Sequence, residues 1–149
     1  MECLKKDESL RLVLMGPLTV EGELCTMSNV YFHPHVGYWD LFNLMSENAL
    51  AIAPLEMSMF NDCKSNVKFL EACVAGVYLL ATPIPDMQRI ATADIALCSS
   101  AEDFRRVIEN RHNLNLEEMA HRNYNYLVEN CSVATFCKEF CELLKKIEI

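Results

Sequence analysis

Glycine and proline are scarce in this sequence, with only 4 and 5 among its 149 residues. Together with 52% hydrophobic and 23% charged residues, this scarcity excludes a low-complexity or disordered chain and indicates one folded domain over 1–149. No apolar run approaches the length that crosses a membrane, and the opening MECLKKDESL lacks the apolar segment of a secretory signal. We therefore expect a cytoplasmic domain.

Positive charge is also in short supply, because 13 Lys and Arg residues face 21 Asp and Glu residues, for a net charge of −8. An acidic domain is a poor electrostatic partner for nucleic acid, so we expect no nucleic-acid partner. This balance still allows a local cationic pocket.

Several chemical motifs are missing as well. There is neither of the two standard glycine-rich phosphate loops, no Ser/His/Asp set and no CxxC pair. Most of the eight cysteines lie in apolar stretches, so we expect reduced, buried thiols. Cys137 and Cys141 are one helical turn apart but have no nearby His or second Cys pair. His33 and His35 are interpreted as turn residues at a cleft edge, and no metal is expected.

Five short apolar runs lie along the chain. Each is nearly continuous rather than alternating, which is typical of strands buried on both faces. The runs are 10–15, 30–32, 49–55, 77–81 and 95–98. Segments with helical periodicity alternate with them, namely 39–45, 64–75, 101–111, 115 to about 129, and a last helix capped by Ser132. The stretch 82–93 is expected to be a loop with one helical turn.

This alternation predicts an α/β fold. We expect a Rossmann-like, doubly wound parallel sheet of about five strands, with helices on both faces and a helical C-terminus. In the last helix, an apolar stripe is expected to face the core; it consists of Val133, Phe136, Phe140, Leu143 and Ile147. Ligands of such sheets bind outside the carboxyl ends of the strands, so the loops there are the candidate site.

The segment 64–75 carries the clearest functional signal. Lys64, Lys68 and Glu71 recur at i, i+4 and i+7, and so share one face of the predicted helix. Two lysines one turn apart repel by about 0.2–0.5 kcal/mol, a cost that a bound anion would relieve. The helix start adds free N–H groups and partial positive charge. This pattern predicts a phosphate site beside a carboxylate that can hold hydroxyls.

An ordered set of residues around this segment resembles the C-terminal, donor-binding domain of group 1 (family 4) glycosyltransferases of the GT-B fold. The set comprises Ala53-Pro54-Leu55, Phe60-Asn61, Lys64-Ser65, Lys68-x-x-Glu71-Ala72, Gly76 and Thr82. Earlier residues agree with it, namely LVLMGPL at 12–18, Asn29-Val30-Tyr31-Phe32 and Asp40-Leu41. The resemblance therefore runs from about residue 10 to residue 145.

The resemblance implies transfer of a hexose, with retained anomeric configuration, from a UDP- or GDP-sugar to an acceptor in polysaccharide or glycolipid synthesis. It implies that Glu71 accepts hydrogen bonds from the ribose hydroxyls. The backbone N–H groups of Ser65, Asn66 and Val67 correspond to the helix start that holds the diphosphate, and Val36 to the backbone that meets the base. No cofactor is implied besides this donor substrate.

Simpler interpretations of these residues stay open. Glu71 is also placed to pair with Lys68 at i, i+3 on a solvated face. Asp86 and Arg89 flank a loop on the cleft side and are further candidates to touch the donor or the acceptor. Trp39 fits a core position at a helix start better than a base-stacking role.

Three departures from the family pattern matter. Many members carry a donor-sugar glutamate where this chain has Cys63. The family's Arg and Lys diphosphate clamp, on an earlier strand and helix, has no counterpart, and neither does its acceptor domain. We therefore expect a truncated chain that is inactive alone and works with a missing N-terminal domain or partner chain. The full-length protein is expected to associate peripherally with the inner face of the membrane. The alternative is a non-catalytic interaction module that pairs through an edge strand.

Overall fold

Strands form at all five predicted apolar runs in the computed structural model, which describes residues 1–90 and 93–146. They are β1 (Leu12–Met15), β2 (Val30–His33), β3 (Leu50–Ala53), β4 (Tyr78–Ala81) and β5 (Ala96–Leu97). Every strand pairing in the described residues is parallel, as predicted. Four strands are shorter than their apolar runs, because the ends of those runs belong to the flanking loops, whereas β2 extends one residue beyond its run, to His33.

The pairing differs from the expected single sheet. Among the strands of residues 1–90 and 93–146, β1 pairs only with β2, while β3, β4 and β5 form a second sheet in that order. Apolar runs predict that strands exist but not which strands meet, so this division was not visible in the sequence. It leaves β3 as an edge strand in which Ile52 is 42% exposed.

Helices connect the strands. They are α1 (Glu2–Lys6), α2 (Tyr38–Ser46), α3 (Met59–Asp62), α4 (Val67–Ala75), α5 (Pro85–Arg89), α6 (Ala101–Glu109), α7 (Leu116–Asn130) and α8 (Val133–Lys146), with 3₁₀ turns at Gly22–Thr26 and Arg111–Asn113. The predicted helices α2, α4, α6, α7 and α8 all form, and α5 is the predicted turn in 82–93. The sequence did not predict α1, α3 or the first 3₁₀ turn.

Both faces of β4 are covered, which confirms the layered α/β architecture. Leu79 and Ala81 pack in one buried cluster with Phe69 of α4 and Met87 of α5. Tyr78 and Leu80 face the other way, in a cluster completed by side chains of α6, including Phe104. Because successive strand residues point to opposite faces, a strand buried along its whole length needs helices on both sides.

The boundaries of two helices follow from local chemistry. Gly76 ends α4 in the left-handed conformation at φ +70°, as its predicted stop role requires. Its N–H and that of Val77 donate to carbonyls of the last turn of α4. Ser100 and Asp103 form the predicted capping box at the start of α6, each side chain accepting the other's backbone N–H.

The start of α4 is a correction. The predicted helix 64–75 begins three residues later, at Val67, because Ser58 caps a separate short helix, α3, and the chain must turn between the two. Lys64 therefore lies in a loop, and it does not share a helical face with Lys68 and Glu71.

The last helix is a second correction. Its stripe was expected to face the core, but Val133, Phe136, Phe140 and Leu143 are between 50% and 79% exposed. The periodicity was interpreted correctly as amphipathic, yet no described element covers this face. Ile147, the last residue of the predicted stripe, lies outside the described residues.

The cysteines are a third correction. Only Cys73 and Cys98 are buried, Cys3 is half-buried, and five are exposed, namely Cys25, Cys63, Cys131, Cys137 and Cys141. Burial raises the pKa of the Cys73 thiol to about 12. Over the described ranges no three His, Cys, Asp or Glu side chains are grouped to hold a metal ion. No described helix is long and apolar enough to cross a membrane.

Candidate functional site

The candidate site is built on the loops that leave the carboxyl ends of β3 and β4. Thr82, buried at the end of β4, joins these loops. Its hydroxyl accepts a hydrogen bond from the Leu55 N–H at 2.8 Å and donates one to the Leu55 carbonyl at 2.9 Å. One side chain therefore fixes the point where both loops begin.

The loop from β3 to α4 is held by its own polar side chains. Asn61 is buried and donates to the Glu56 carbonyl at 2.7 Å. The Asn61 N–H in turn donates to the hydroxyl of Ser58, the cap of α3. These bonds shape the approach to α4, so the residues Lys64 and Ser65 follow a fixed turn rather than a free loop.

An acidic side chain from α5 occupies the start of α4. The Asn66 N–H donates to Asp86 Oδ2 at 2.7 Å. Asp86 Oδ1 lies 2.7 Å from Arg89 Nη2 on the next turn. The N–H groups of Ser65 and Val67 have no acceptor within residues 1–90 and 93–146. Asn66 is thus engaged, while its two neighbours retain the free donors that an anion would use.

A cavity of about 380 Å³ opens at this helix start. It is lined by Asp62, Cys63, Lys64, Ser65, Pro85, Asp86 and Arg89. Two cations and two carboxylates face it, so their formal charges cancel. The Lys64 ammonium also lies 5.0 Å from the centre of the exposed Phe60 ring, a cation–π contact.

Glu71 lies outside that cavity lining, on the second turn of α4. Its Oε2 accepts a hydrogen bond from Lys68 Nζ at 2.8 Å, which is the i, i+3 pair considered above. The Glu71 side chain is only 11% exposed, whereas that of Lys68 is 58% exposed. Glu71 Oε1 receives no hydrogen bond from the described part of the chain. A carboxylate this buried keeps one acceptor oxygen to offer a ligand hydroxyl.

The remaining predicted residues are scattered. Val36 is half-buried in the loop after β2 and does not line the cavity. Trp39 is 77% exposed on α2, in edge contact with Tyr38 at 5.5 Å between ring centres, so the core role expected for it is wrong. The structure brings together Lys64 and Ser65 with Asp86 and Arg89, and separately Lys68 with Glu71.

A second, larger cavity of about 760 Å³ was not anticipated. It runs beside β3 and the end of β5, between α1 and α6, and its lining includes Ile52, Pro54, Phe104 and Arg105. The Arg105 guanidinium binds Glu2 and Glu102, which leaves its buried Nε without a partner in the described structure. This cavity could not be predicted from the sequence, because residues of α1 line it and that helix was not predicted.

A parallel sheet whose central strand β4 is covered on both sides, with polar loops leaving the carboxyl ends of β3 and β4, defines a Rossmann-like α/β domain. The chain belongs to the Glycosyl transferase-like family, whose model matches residues 1–142. No curated protein and no solved structure matches the chain. The family match confirms the glycosyltransferase relationship expected from the sequence.

Proposed function

We propose that this domain is the donor-binding half of a group 1, GT-B glycosyltransferase that moves a hexose with retention from a UDP- or GDP-sugar to an acceptor. The observation that carries the proposal is the start of α4, where the N–H groups of Ser65 and Val67 have no acceptor among the described residues. Ser65 and Lys64 also line the cavity there. Family membership supports glycosyl transfer in general. The nucleotide, the sugar and the pathway, polysaccharide or glycolipid synthesis, rest on the resemblance of the sequence.

The chemistry asked of such a site is electrostatic. When the bond between the sugar and the diphosphate breaks, negative charge grows on the leaving phosphate. N–H donors and cations already aimed at that position lower the barrier without reorganising. Lys64 and the start of α4 supply these groups, and Arg89 is the second cation that lines the cavity. No protein nucleophile is required, and none is assigned.

The ribose would be held by Glu71. Its buried carboxylate has one oxygen bound to Lys68 and one oxygen without a donor in the described residues, and two adjacent hydroxyls need such acceptors. Binding a diol here would satisfy Oε1 and leave the ion pair intact. Val36 would meet the base from the loop after β2.

Cys63 leaves the donor-sugar contact of the family unfilled, and Asp62 is the neighbouring carboxylate that lines the cavity. A carboxylate at this point accepts hydrogen bonds from sugar hydroxyls as the family glutamate would. We therefore assign Asp62 to the sugar end of the donor.

We propose that a preceding domain or a partner chain supplies the acceptor site and the remaining phosphate cations, in the cytoplasm at the inner face of the membrane.

The test is binding, because it does not require the acceptor. UDP, GDP and their sugars should raise the melting temperature of the wild-type chain by mass action, and a ligand at a hundred times its Kd adds about 2.7 kcal/mol. Lys64→Ala should remove most of that shift. Lys138→Ala, which deletes an exposed lysine of α8, is the matched control. Stabilisation by none of these nucleotides would refute the proposal.

A non-catalytic interaction module is the second candidate. The exposed Ile52 on the free edge of β3 favours it, since such an edge can pair with a strand of another chain. It would show no nucleotide effect, and association would be abolished by Ile52→Lys on that edge. Sizing the protein with and without nucleotide separates the two candidates.

A further inference from the structure

The face of α8 that was expected in the core is an apolar stripe that no described element covers. Val133, Phe136, Phe140, Leu143 and Leu144 are each at least half exposed. The rings of Phe136 and Phe140 stack on one another at 6.0 Å, which makes a continuous aromatic surface. Soluble monomers rarely leave a contiguous patch of this kind in water, so a partner surface is indicated.

The spacing of the stripe indicates another helix as the partner. Positions 133, 136, 140 and 143 alternate steps of three and four, the a and d positions of a coiled coil. Cys137 and Leu144 follow the d positions and widen the stripe on one side. On the other side, at the g positions, stand Glu139 and Lys146. The seam therefore has one apolar flank and one charged flank.

Those flanking charges select a second copy of the same helix, running antiparallel. If Phe140 packs against Leu143 of the second copy, the antiparallel register sets Glu139 against the second copy's Lys146, and the reverse pair forms by symmetry. A parallel register would set Glu139 against Leu144 and would form neither ion pair. We propose that the protein forms a homodimer through antiparallel pairing of α8, with Glu139 and Lys146 fixing the register.

The other occupants fit less well. α8 carries three lysines and two glutamates in its described length, and the whole chain carries a net charge of −8, so an anionic membrane attracts it poorly. A foreign surface, including that of the domain or partner chain proposed above, would need charges that match this flank, whereas a second copy has them by construction. The 14-residue helix gives a seam of about 21 Å, so the dimer should be weak and concentration-dependent.

The experiment is analytical ultracentrifugation over a concentration series, in reducing buffer so that the exposed Cys137 and Cys141 form no cross-links. Wild type should show a reversible monomer–dimer equilibrium. Phe140→Glu should give monomer. Glu139→Lys and Lys146→Glu should each weaken dimerisation about tenfold, since each sets like charges opposite one another twice. The double variant Glu139→Lys/Lys146→Glu should restore the wild-type Kd.

Lys138→Glu is the matched control, because it makes the same charge change as Lys146→Glu on the outward side of the helix; it should leave the Kd unchanged. Far-UV circular dichroism should show that each variant is folded. The proposal would be overturned if the wild-type protein were monomeric at all concentrations. The same holds if that monomer co-sediments with phosphatidylcholine or phosphatidylserine vesicles. A dimer that survives Phe140→Glu, or a double variant as weak as the single ones, would also overturn it. None of these outcomes bears on nucleotide binding.

Discussion

Asp86 accepts a hydrogen bond from the Asn66 N–H at 2.7 Å, so a carboxylate caps the helix start that the proposed diphosphate approaches. The Asp86 side chain is 23% exposed and is also paired with Arg89, which reduces its charge but does not remove it. A fixed negative charge beside a polyanion site opposes binding, while the same hydrogen bond fixes the loop that carries Lys64 and Ser65. The two effects can be separated experimentally.

Asp86→Asn keeps a side-chain oxygen for the Asn66 N–H and removes the charge. We expect UDP or GDP to bind the variant several-fold more tightly, with a loss of stability of about 0.5–1 kcal/mol from the weaker cap. Isothermal titration calorimetry and urea unfolding measure the two quantities. Asp86→Ala, which loses the cap as well, should be the less stable variant. Weaker nucleotide binding by Asp86→Asn would show that orientation of the loop outweighs repulsion.

Glu71→Gln tests the ribose contact. Wild type should prefer UDP or GDP to the 2′-deoxy nucleotide, because the missing hydroxyl leaves a buried acceptor without a donor. The glutamine variant should bind the ribonucleotide about tenfold more weakly and lose most of that preference. Competition binding with the two nucleotides gives the ratio directly. An unchanged ratio in Glu71→Gln would remove Glu71 from the site, even if both nucleotides bind.

The sequence predicts elements better than it predicts neighbours. The five strands, the capped start of α6 at Ser100 and the stop of α4 at Gly76 depend on a few adjacent residues, and these were predicted. The division into two sheets depends on which strands meet, and no local pattern encodes that. The face of α8 shows the same limit, because periodicity identifies an apolar stripe but not what covers it.

The candidate site shows this limit on a smaller scale. Lys64 was predicted from a helical spacing to Lys68 and Glu71 that the structure does not keep, and Ser65 from the family resemblance; both line the cavity. Asp86 was named as a candidate ligand contact, but its hydrogen bond to Asn66 was not predicted, because it reaches Asn66 from a separate helix 20 residues further along. Similarly, the shift of the α4 start to Val67 depends on the separate helix α3, whose four residues are too short to show a helical period.

Thr82→Val tests the joint between the two site loops. The substitution keeps the shape of a buried side chain and removes both hydrogen bonds to Leu55, so the Leu55 N–H and carbonyl lose their partner. We expect a loss of about 1–3 kcal/mol in the free energy of unfolding, measured by urea denaturation. Thr26→Val is the control, since that exposed hydroxyl donates only to the nearby Glu23 carbonyl. Equal losses in the two variants would contradict the role of Thr82.

Asp7 gives a pH-dependent test of how α1 is anchored. Hydrogen bonds from Ser9 and from the Arg111 guanidinium lower the pKa of the Asp7 carboxyl from 3.8 to about 2. The folded state therefore favours the ionised carboxylate, and the stability this adds is fully present above pH 3.8 and is lost as the pH falls towards 2. Thermal unfolding of wild type and Asp7→Asn should differ at neutral pH, with wild type the more stable. The difference should shrink across that acidic window.

Glu8→Gln, which alters a neighbouring carboxyl that makes no ion pair with a described residue, should follow wild type throughout. A gap between wild type and Asp7→Asn that stayed constant down to pH 2 would mean that the substitution acts through packing rather than through the charge on Asp7.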